Sequence, residues 1–384
     1  MAGLPVATMP LEGELRVRLS WNGSRVQEVT INATRPLAAA GLFAGKSPAW
    51  VVATVPMLFS ICASAQGAAA GSAVAAAGGA DDALRPMREL EVIIETIREH
   101  FWRLLIDWPQ SMGREAVLAP MACVRRLAAA PRAALTSMEV PARRELADAL
   151  GTAAAESIYG MTPSEWLAID DLSRLHAWTD LGVTLPAMLL GQLLKEMPRL
   201  GTSDVPLMPP ISAQTLVDVV APEMRLSPGF ARAPTWNGTP VETGVLARMQ
   251  SQPLLTAVAA RCGNAVATRM VARLVELALL LEEFAGVAAP TRRLEAFSLG
   301  GGEGVAAVQT ARGLLLHRAR LRNGSVADYQ IVAPTEWNFH PQGAFPRALL
   351  ALEADDDASL EWKARLTAQA LDPCVACRIE VGHA

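Results

Sequence analysis

Asp372-Pro373-Cys374-Val375-Ala376-Cys377-Arg378-Ile379-Glu380-Val381-Gly382-His383-Ala384 closes the sequence. Two thiols at Cys-x-x-Cys spacing can close on one soft metal ion or on each other, and the spacing by itself supports both equally. Asp is a good helix N-cap and Pro suits the first helical position, so the stretch predicts a short helix with Cys374 and Cys377 in its first turns. Unpaired N–H groups and the positive end of the helix dipole would there favour the thiolate that binds metal or attacks disulfides.

Working outward, a third cysteine of interest is Cys62, in Val55-Pro56-Met57-Leu58-Phe59-Ser60-Ile61-Cys62-Ala63-Ser64-Ala65-Gln66. Cys123 and Cys262 have no cysteine neighbours and read as small buried hydrophobes. Two more stretches stand out: Gly304 to His317, containing Gln309-Thr310-Ala311-Arg312-Gly313-Leu314-Leu315-Leu316-His317, and Tyr329-Gln330-Ile331-Val332-Ala333-Pro334-Thr335-Glu336-Trp337-Asn338. Together with Asp-Pro-Cys-x-x-Cys, these resemble the large subunit of nickel–iron hydrogenases. The signatures there are Arg-x-Cys-Gly-x-Cys, Glu-Ala-Pro-Arg-Gly-x-Leu-x-His, Tyr-Gln-x-x-x-Pro-Ser/Thr-x-Trp-Asn and Asp-Pro-Cys-x-x-Cys-x-x-His.

The resemblance implies specific roles. In the enzymes four thiolates hold a nickel and an iron that carries cyanide and carbon monoxide. Cys62, Cys374 and Cys377 match three of them as metal ligands, and Ala65 stands where the second amino-terminal bridging Cys would be. Ser60 and Ala63 replace the family's Arg and Gly. Arg312 and Thr335 match the groups that donate to the two cyanides, with Ala333 and Pro334 beside the carbon monoxide. Anionic cyanide nitrogens buried among apolar groups need such donors, because an unpaired buried polar atom costs several kcal/mol. Glu12, in Glu12-Gly13-Glu14-Leu15-Arg16, matches a glutamate that passes protons. Ala38 replaces a carboxylate that helps hold a structural magnesium, and a methyl group cannot coordinate a hard cation. His383 lies farther from Cys377 than the family's histidine does, so it is a poor match to a magnesium ligand. The pattern is similar to maturation proteins of the HupK/HoxV type, which lack part of the metal site.

Composition narrows the function classes. The net charge of −4 provides no global basic field for nucleic acid, and five cysteines in 384 residues are not a disulfide framework. An odd cysteine count and a start without a basic, continuously apolar leader point to the cytoplasm. Ser47 to Ala80 is free of charge and long enough to cross a bilayer, yet Pro48, Pro56 and a run of Ala, Gly and Ser suit a buried helix instead. No membrane span is expected.

The remaining patterns predict a predominantly helical α+β fold, hydrogenase large-subunit-like, with a central helix bundle and small antiparallel β-hairpins. One domain is expected over 1–384: an amino-terminal hairpin at 11–32 about Asn22-Gly23, a helical body at 48–290, and a second hairpin plus the metal-motif segment at 300–384. Within the body, Leu90, Ile93, Ile94, Ile97, Phe101 and Leu104 predict an amphipathic helix ended by Pro109, with Arg88, Glu91, Glu95 and Arg98 on its wet side. His100 on that helix reads as a hydrogen-bonded structural histidine. Residues 202–244, with seven prolines, predict a loop, and Asn264 to Gly286 a long helix. Gly300-Gly301-Gly302-Glu303-Gly304 lacks a Gly-Lys-Ser/Thr ending and reads as a turn.

The functional expectation is a non-catalytic scaffold that transiently holds an Fe(CN)2(CO) unit for a hydrogenase large subunit. Maturation chaperones and that subunit are the expected partners, and nickel is a secondary candidate. A degenerate hydrogenase with residual activity and a zinc or nickel carrier are the alternatives.

Overall fold

The computed structural model describes residues 13–33, 41–59, 61–137, 139–227 and 229–383. Strands β1 (Glu14–Trp21) and β2 (Val26–Ala33) form the first hairpin as expected. Asn22 closes its turn by accepting from the Ser24 and Arg25 amides, 3.1 and 2.9 Å away. Helices α1 (Pro48–Leu58), α2 (Ala63–Ala77), α3 (Arg85–Trp102), α4 (Pro141–Ala154), α5 (Leu185–Glu196) and α6 (Val266–Phe284) follow, among shorter ones. Then come β3 (Leu294–Gly300), β4 (Glu303–Thr310), β5 (Gly313–Arg322) and β6 (Ser325–Val332). The chain ends with α7 (Pro334–Asn338), α8 (Asp357–Leu371) and β7 (Ala376–His383).

The uncharged stretch becomes two helices broken at Phe59 to Cys62, with Ser47 capping the first. Its second helix, α2, lies across β3, β4 and β5. Most residues of α2 up to Ala73 are buried, and none is larger than Gln, so a backbone can approach directly. Gly304 of β4 sits against the backbone of Ala73, Ala76 and Ala77 with no room for a side chain. No helix among the described residues is long and apolar enough to span a membrane.

Helix α6 is buried on nearly all sides and packs against α3, α5 and α8, forming the centre of the helical body. The second hairpin turns at Asn323-Gly324 and belongs to an antiparallel sheet ordered β3-β4-β5-β6. The Gly301-Gly302 turn links β3 to β4, and an antiparallel strand follows it where a phosphate loop would need a helix.

Four local expectations are corrected. Pro109 does not end α3; the helix continues through a π-helical turn at Arg103–Asp107 to Ser111, with Pro109 accommodated in a new first turn. The proline-rich loop contains helical residues from Ala213 to Leu226 whose apolar side chains pack under the four-stranded sheet. Glu95 is on a buried face, for reasons given below. Finally, Asp372-Pro373 begins no helix. Asp372 ends α8 in the left-handed region at φ 55°, and the cysteine motif runs into β7, which pairs in parallel with β1. The smaller sheet, β2-β1-β7, is therefore mixed and not purely antiparallel.

Candidate metal-fragment site

Cys62 occupies the N-cap position of α2, and its Sγ lies 3.8 Å from Gln66 Nε2 one turn on. With the Gln66 amide nitrogen turned to the sulfur, its oxygen accepts from His317 Nε2 at 2.9 Å, and Tyr329 donates to His317 Nδ1 at 2.7 Å. Burial lowers the His317 pKa to about 3, so the ring is neutral and has a single N–H to give. That proton goes to Gln66. The resulting buried relay orients Cys62 from β5 and β6.

Cys374 arrives from the other end of the chain. Its backbone N–H donates to Thr335 Oγ1 at 3.1 Å, and the hydroxyl stands 2.9 Å from Sγ. Thr335 lies in the first turn of α7, with Ala333 and Pro334 buried beside it. Asn338 of the same helix accepts from the Thr243 amide at 2.9 Å, fixing α7 against the segment that leads to α6.

Arg312 sits between these elements at the β4–β5 turn and is buried. Its Nη2 donates to Glu99 Oε2 at 2.7 Å, and its Nε is 3.2 Å from Asp372 Oδ1. Burial opposes the charged guanidinium, but Asp372, Glu99, Cys62 and Cys374 more than reverse that effect and raise the pKa. Both thiols are thus within electrostatic reach of one permanently charged group. Burial also disfavours the Asp372 carboxylate, yet Arg103, Arg312 and Arg273 hold it well below the usual carboxylate range.

Cys377 goes elsewhere. Strand alternation turns Cys377, Ile379 and Val381 inward and Arg378 and Glu380 outward, and Cys377 is in register with Leu15 of β1. It lines a cavity of about 280 Å3 with Arg103, Ser111, Arg365 and Gln369. Burial pushes its thiol up to about 11, against the attraction of Arg365. Among the described residues no three His, Cys, Asp or Glu side chains are grouped to hold a metal ion. The structure therefore brings together two of the three expected thiols, with Arg312, Thr335, Ala333 and Pro334. His383 is at the far end of β7, beside Trp21 and 3.4 Å from Asp357 Oδ2. Glu12, Ser60 and Arg35 to Ala38 lie outside the described residues.

Two residues of the site gave no sequence signal. Glu99 and Glu95 lie one turn apart on α3, and α2 covers that face. Glu95 accepts from the Ser64 and Ala65 amides at 2.8 and 3.3 Å, so it caps α2 from a neighbouring helix. No local pattern encodes a cap supplied 30 residues away. His100, as expected, is a hydrogen-bonded core histidine, with Nε2 2.8 Å from Glu276 Oε2.

Glu95 yields a pH prediction. Burial raises its pKa from 4.5 to about 7, with the Ser64 amide and Arg98 opposing. The group's contribution to stability is fully present below pH 4.5 and is lost as the pH rises through about 7. Glu95→Gln, which cannot ionise, is expected to be more stable than the parent by about 3 kcal/mol above pH 8, and nearly equal to it near pH 4. Urea unfolding at several pH values measures this. A gap that does not widen with pH would show that Glu95 is not the buried acid described.

Comparison with known proteins follows the same lines. Residues 220–380 match the family model for nickel-dependent hydrogenase. The chain is 30% identical to the hydrogenase expression/formation protein HoxV of Cupriavidus necator, covering 90% of this chain and 91% of that one. It is 31% identical to the hydrogenase expression/formation protein HupV of Azotobacter chroococcum, covering 97% of this chain and all of the relative (100%). The fold is that of hydrogenase large subunits. The Ni-Fe-Se hydrogenase of D. vulgaris Hildenborough superposes with a TM-score of 0.59 at 17% identity, over 92% of this chain and 94% of the other. That of Desulfomicrobium baculatum gives 0.58 at 16%, over 93% and 95%. With the large-subunit fold in place, and matched nearly end to end by HoxV and HupV, this chain belongs to the family of hydrogenase expression/formation proteins.

Proposed function

We propose that the protein is a non-catalytic scaffold in nickel–iron hydrogenase maturation, whose cargo is an Fe(CN)2(CO) unit held between Cys62 and Cys374. The observation that carries this reading is the convergence of those two thiols, 312 positions apart in sequence, on the buried Arg312. The residues present fit such a cargo. Two thiolates supply soft ligands to iron, Arg312 and the Thr335 hydroxyl are the donors that anionic cyanides require, and Ala333 and Pro334 offer an apolar wall to carbon monoxide. Two thiolates grip less firmly than four, and Ala65 with the outlying Cys377 leaves no complete bimetallic cage. That suits a fragment that is passed on, with the recipient's thiolates displacing Cys62 and Cys374. The recipient in this reading is the hydrogenase large subunit, and the cytoplasm is the compartment.

Infrared spectroscopy of protein purified anaerobically from cells making hydrogenase tests the reading. Cyanide and carbonyl stretching bands are expected in the parent, lost in Cys62→Ala and in Cys374→Ala, and kept in Cys377→Ala. Bands that survive both of the first two substitutions would sink the proposal. Zinc or nickel without such bands would favour an ion carrier instead. Against that carrier, Cys374 and Cys377 face different surroundings, Thr335 for one and the Arg365 side of α8 for the other.

A further inference from the structure

An open groove of about 610 Å3 lies between α4 and the end of α6, bordered by the start of the short helix Pro163–Leu167. Its floor is a row of small residues, Ala147 and Gly151 of α4 and then Ala155, where a π-helical turn begins. Spaced by four residues, the three stack along one side of the helix over about 12 Å. Leu281 and Val287 add apolar surface from the α6 side, and Val287 is 73% exposed. A glycine inside a helix weakens it, and a Cβ at Gly151 would meet no atom within 4 Å. The protein's own packing makes no use of the clearance that this glycine leaves. Charge on the rim has one sign. Asp148 and Glu156 each directly follow a floor residue and so share a flank, two turns apart, while Glu282 lines the other flank from α6. Glu282 accepts from the Ser164 hydroxyl. Among the described residues no Lys, Arg or His is within ion-pair distance of any of these three carboxylates, and none lines the groove. Arg143, one turn ahead of Ala147, donates instead to the Leu135 and Phe284 carbonyls.

From this arrangement we infer that the groove seats an α-helix of a partner protein, with apolar side chains on the face laid over Ala147, Gly151 and Ala155 and with Lys or Arg on both sides of that face. Small residues in the floor let two helix axes approach to the short end of the usual range of about 8 to 10 Å. Burial of the apolar floor supplies affinity, and the three carboxylates select a basic helix and reject an acidic one. An inorganic cation would leave the apolar floor without a role, and a neutral helix would leave the carboxylates without partners. None of these residues belongs to the Cys62 and Arg312 site, so helix binding and cargo retention succeed or fail separately.

The probe is a fluorescein-labelled synthetic helix of about 20 residues, with Ala and Leu along one face and Lys on either side of it. Its twin carries Glu in place of every Lys. Fluorescence anisotropy with the purified full chain at low salt is expected to show the Lys helix binding about tenfold or more tighter than the Glu helix. Gly151→Leu fills the groove, keeps every charge and is expected to weaken the Lys helix about tenfold, with a thermal midpoint at or above the parent's. Asp148→Lys combined with Glu156→Lys is expected to reverse the preference, so that the Glu helix binds the better of the two. A reversal needs a folded groove and cannot come from unfolding. No binding of the Lys helix, equal binding of the two helices, or a Gly151→Leu variant that binds like the parent would each overturn the inference. So would a dimer of the parent in sedimentation that Gly151→Leu dissolves, since the occupant would then be a second copy of this chain.

Discussion

Asp372→Asn is expected to destabilise the protein by about 3 to 5 kcal/mol at neutral pH, the usual cost of removing one partner from a buried ion-pair network. Asp372 is 3% exposed and is the common acceptor of Arg103, Arg273 and Arg312. The isosteric amide keeps the shape and withdraws the charge, so three buried cations lose their shared counter-charge. The direction with pH follows from the depressed carboxyl pKa. The stabilisation is present above the ordinary carboxylate value, about 3.9, and fades as the pH falls through the lower folded value. The gap between parent and variant should therefore be full at pH 7 and narrow only in strong acid. Denaturant unfolding at pH 7 and at pH 2 measures it. Equal stability at pH 7 would show that Asp372 does not bind these arginines together. Because Cys62 and Cys374 also act electrostatically on Arg312, the proposed scaffold role further predicts that the variant loses the infrared bands more readily than the parent.

The second large effect is expected at Gly304, where the cause is steric. A Cβ there would lie 2.5 Å from Ala73 O and 2.8 Å from Ala76 C, and closer still to Ala77 N. All three are backbone atoms of α2, so no side chain can swing aside. Either α2 lifts from β4 or the strand bends. Gly304→Ala is expected to cost about 3 kcal/mol or more, at the upper end of overpacking effects. Gly151→Ala supplies the control. That glycine is inside α4 with nothing within 4 Å, so added helix propensity should stabilise by about 0.5 to 1 kcal/mol. Thermal unfolding of the two variants should separate them in opposite directions. A neutral Gly304→Ala would show that α2 and β4 are not in backbone contact. The same displacement would disturb the α2 amino terminus, where Cys62 and the Glu95 cap are found.

Parts of the site were legible because their chemistry is written into short motifs. Cys62, Cys374, Arg312 and Thr335 lie in stretches whose residue types and spacing are distinctive, and the structure brings these four into one neighbourhood. Cys377 was harder, because a Cys-x-x-Cys spacing says how far apart two residues are in the chain and not which way a strand turns them. Glu95 looked like part of a wet face because α3 is amphipathic, and only the covering helix α2 makes that face interior.

What the sequence by itself determined is what depends on neighbours in the chain. The hairpins at Asn22-Gly23 and Asn323-Gly324, the span of α6 and the small-residue surface of α2 all follow from contacts within a few residues, where propensity and periodicity act. Tertiary structure alone decided the fate of Asp372-Pro373. Locally, the pair favours starting a helix by about 1 kcal/mol. The arginines at 103, 273 and 312, far away in sequence, are buried and would be left short of counter-charge, at a cost of about 3 to 5 kcal/mol, without its carboxylate, so Asp372 ends a helix and the cysteine motif passes into β7.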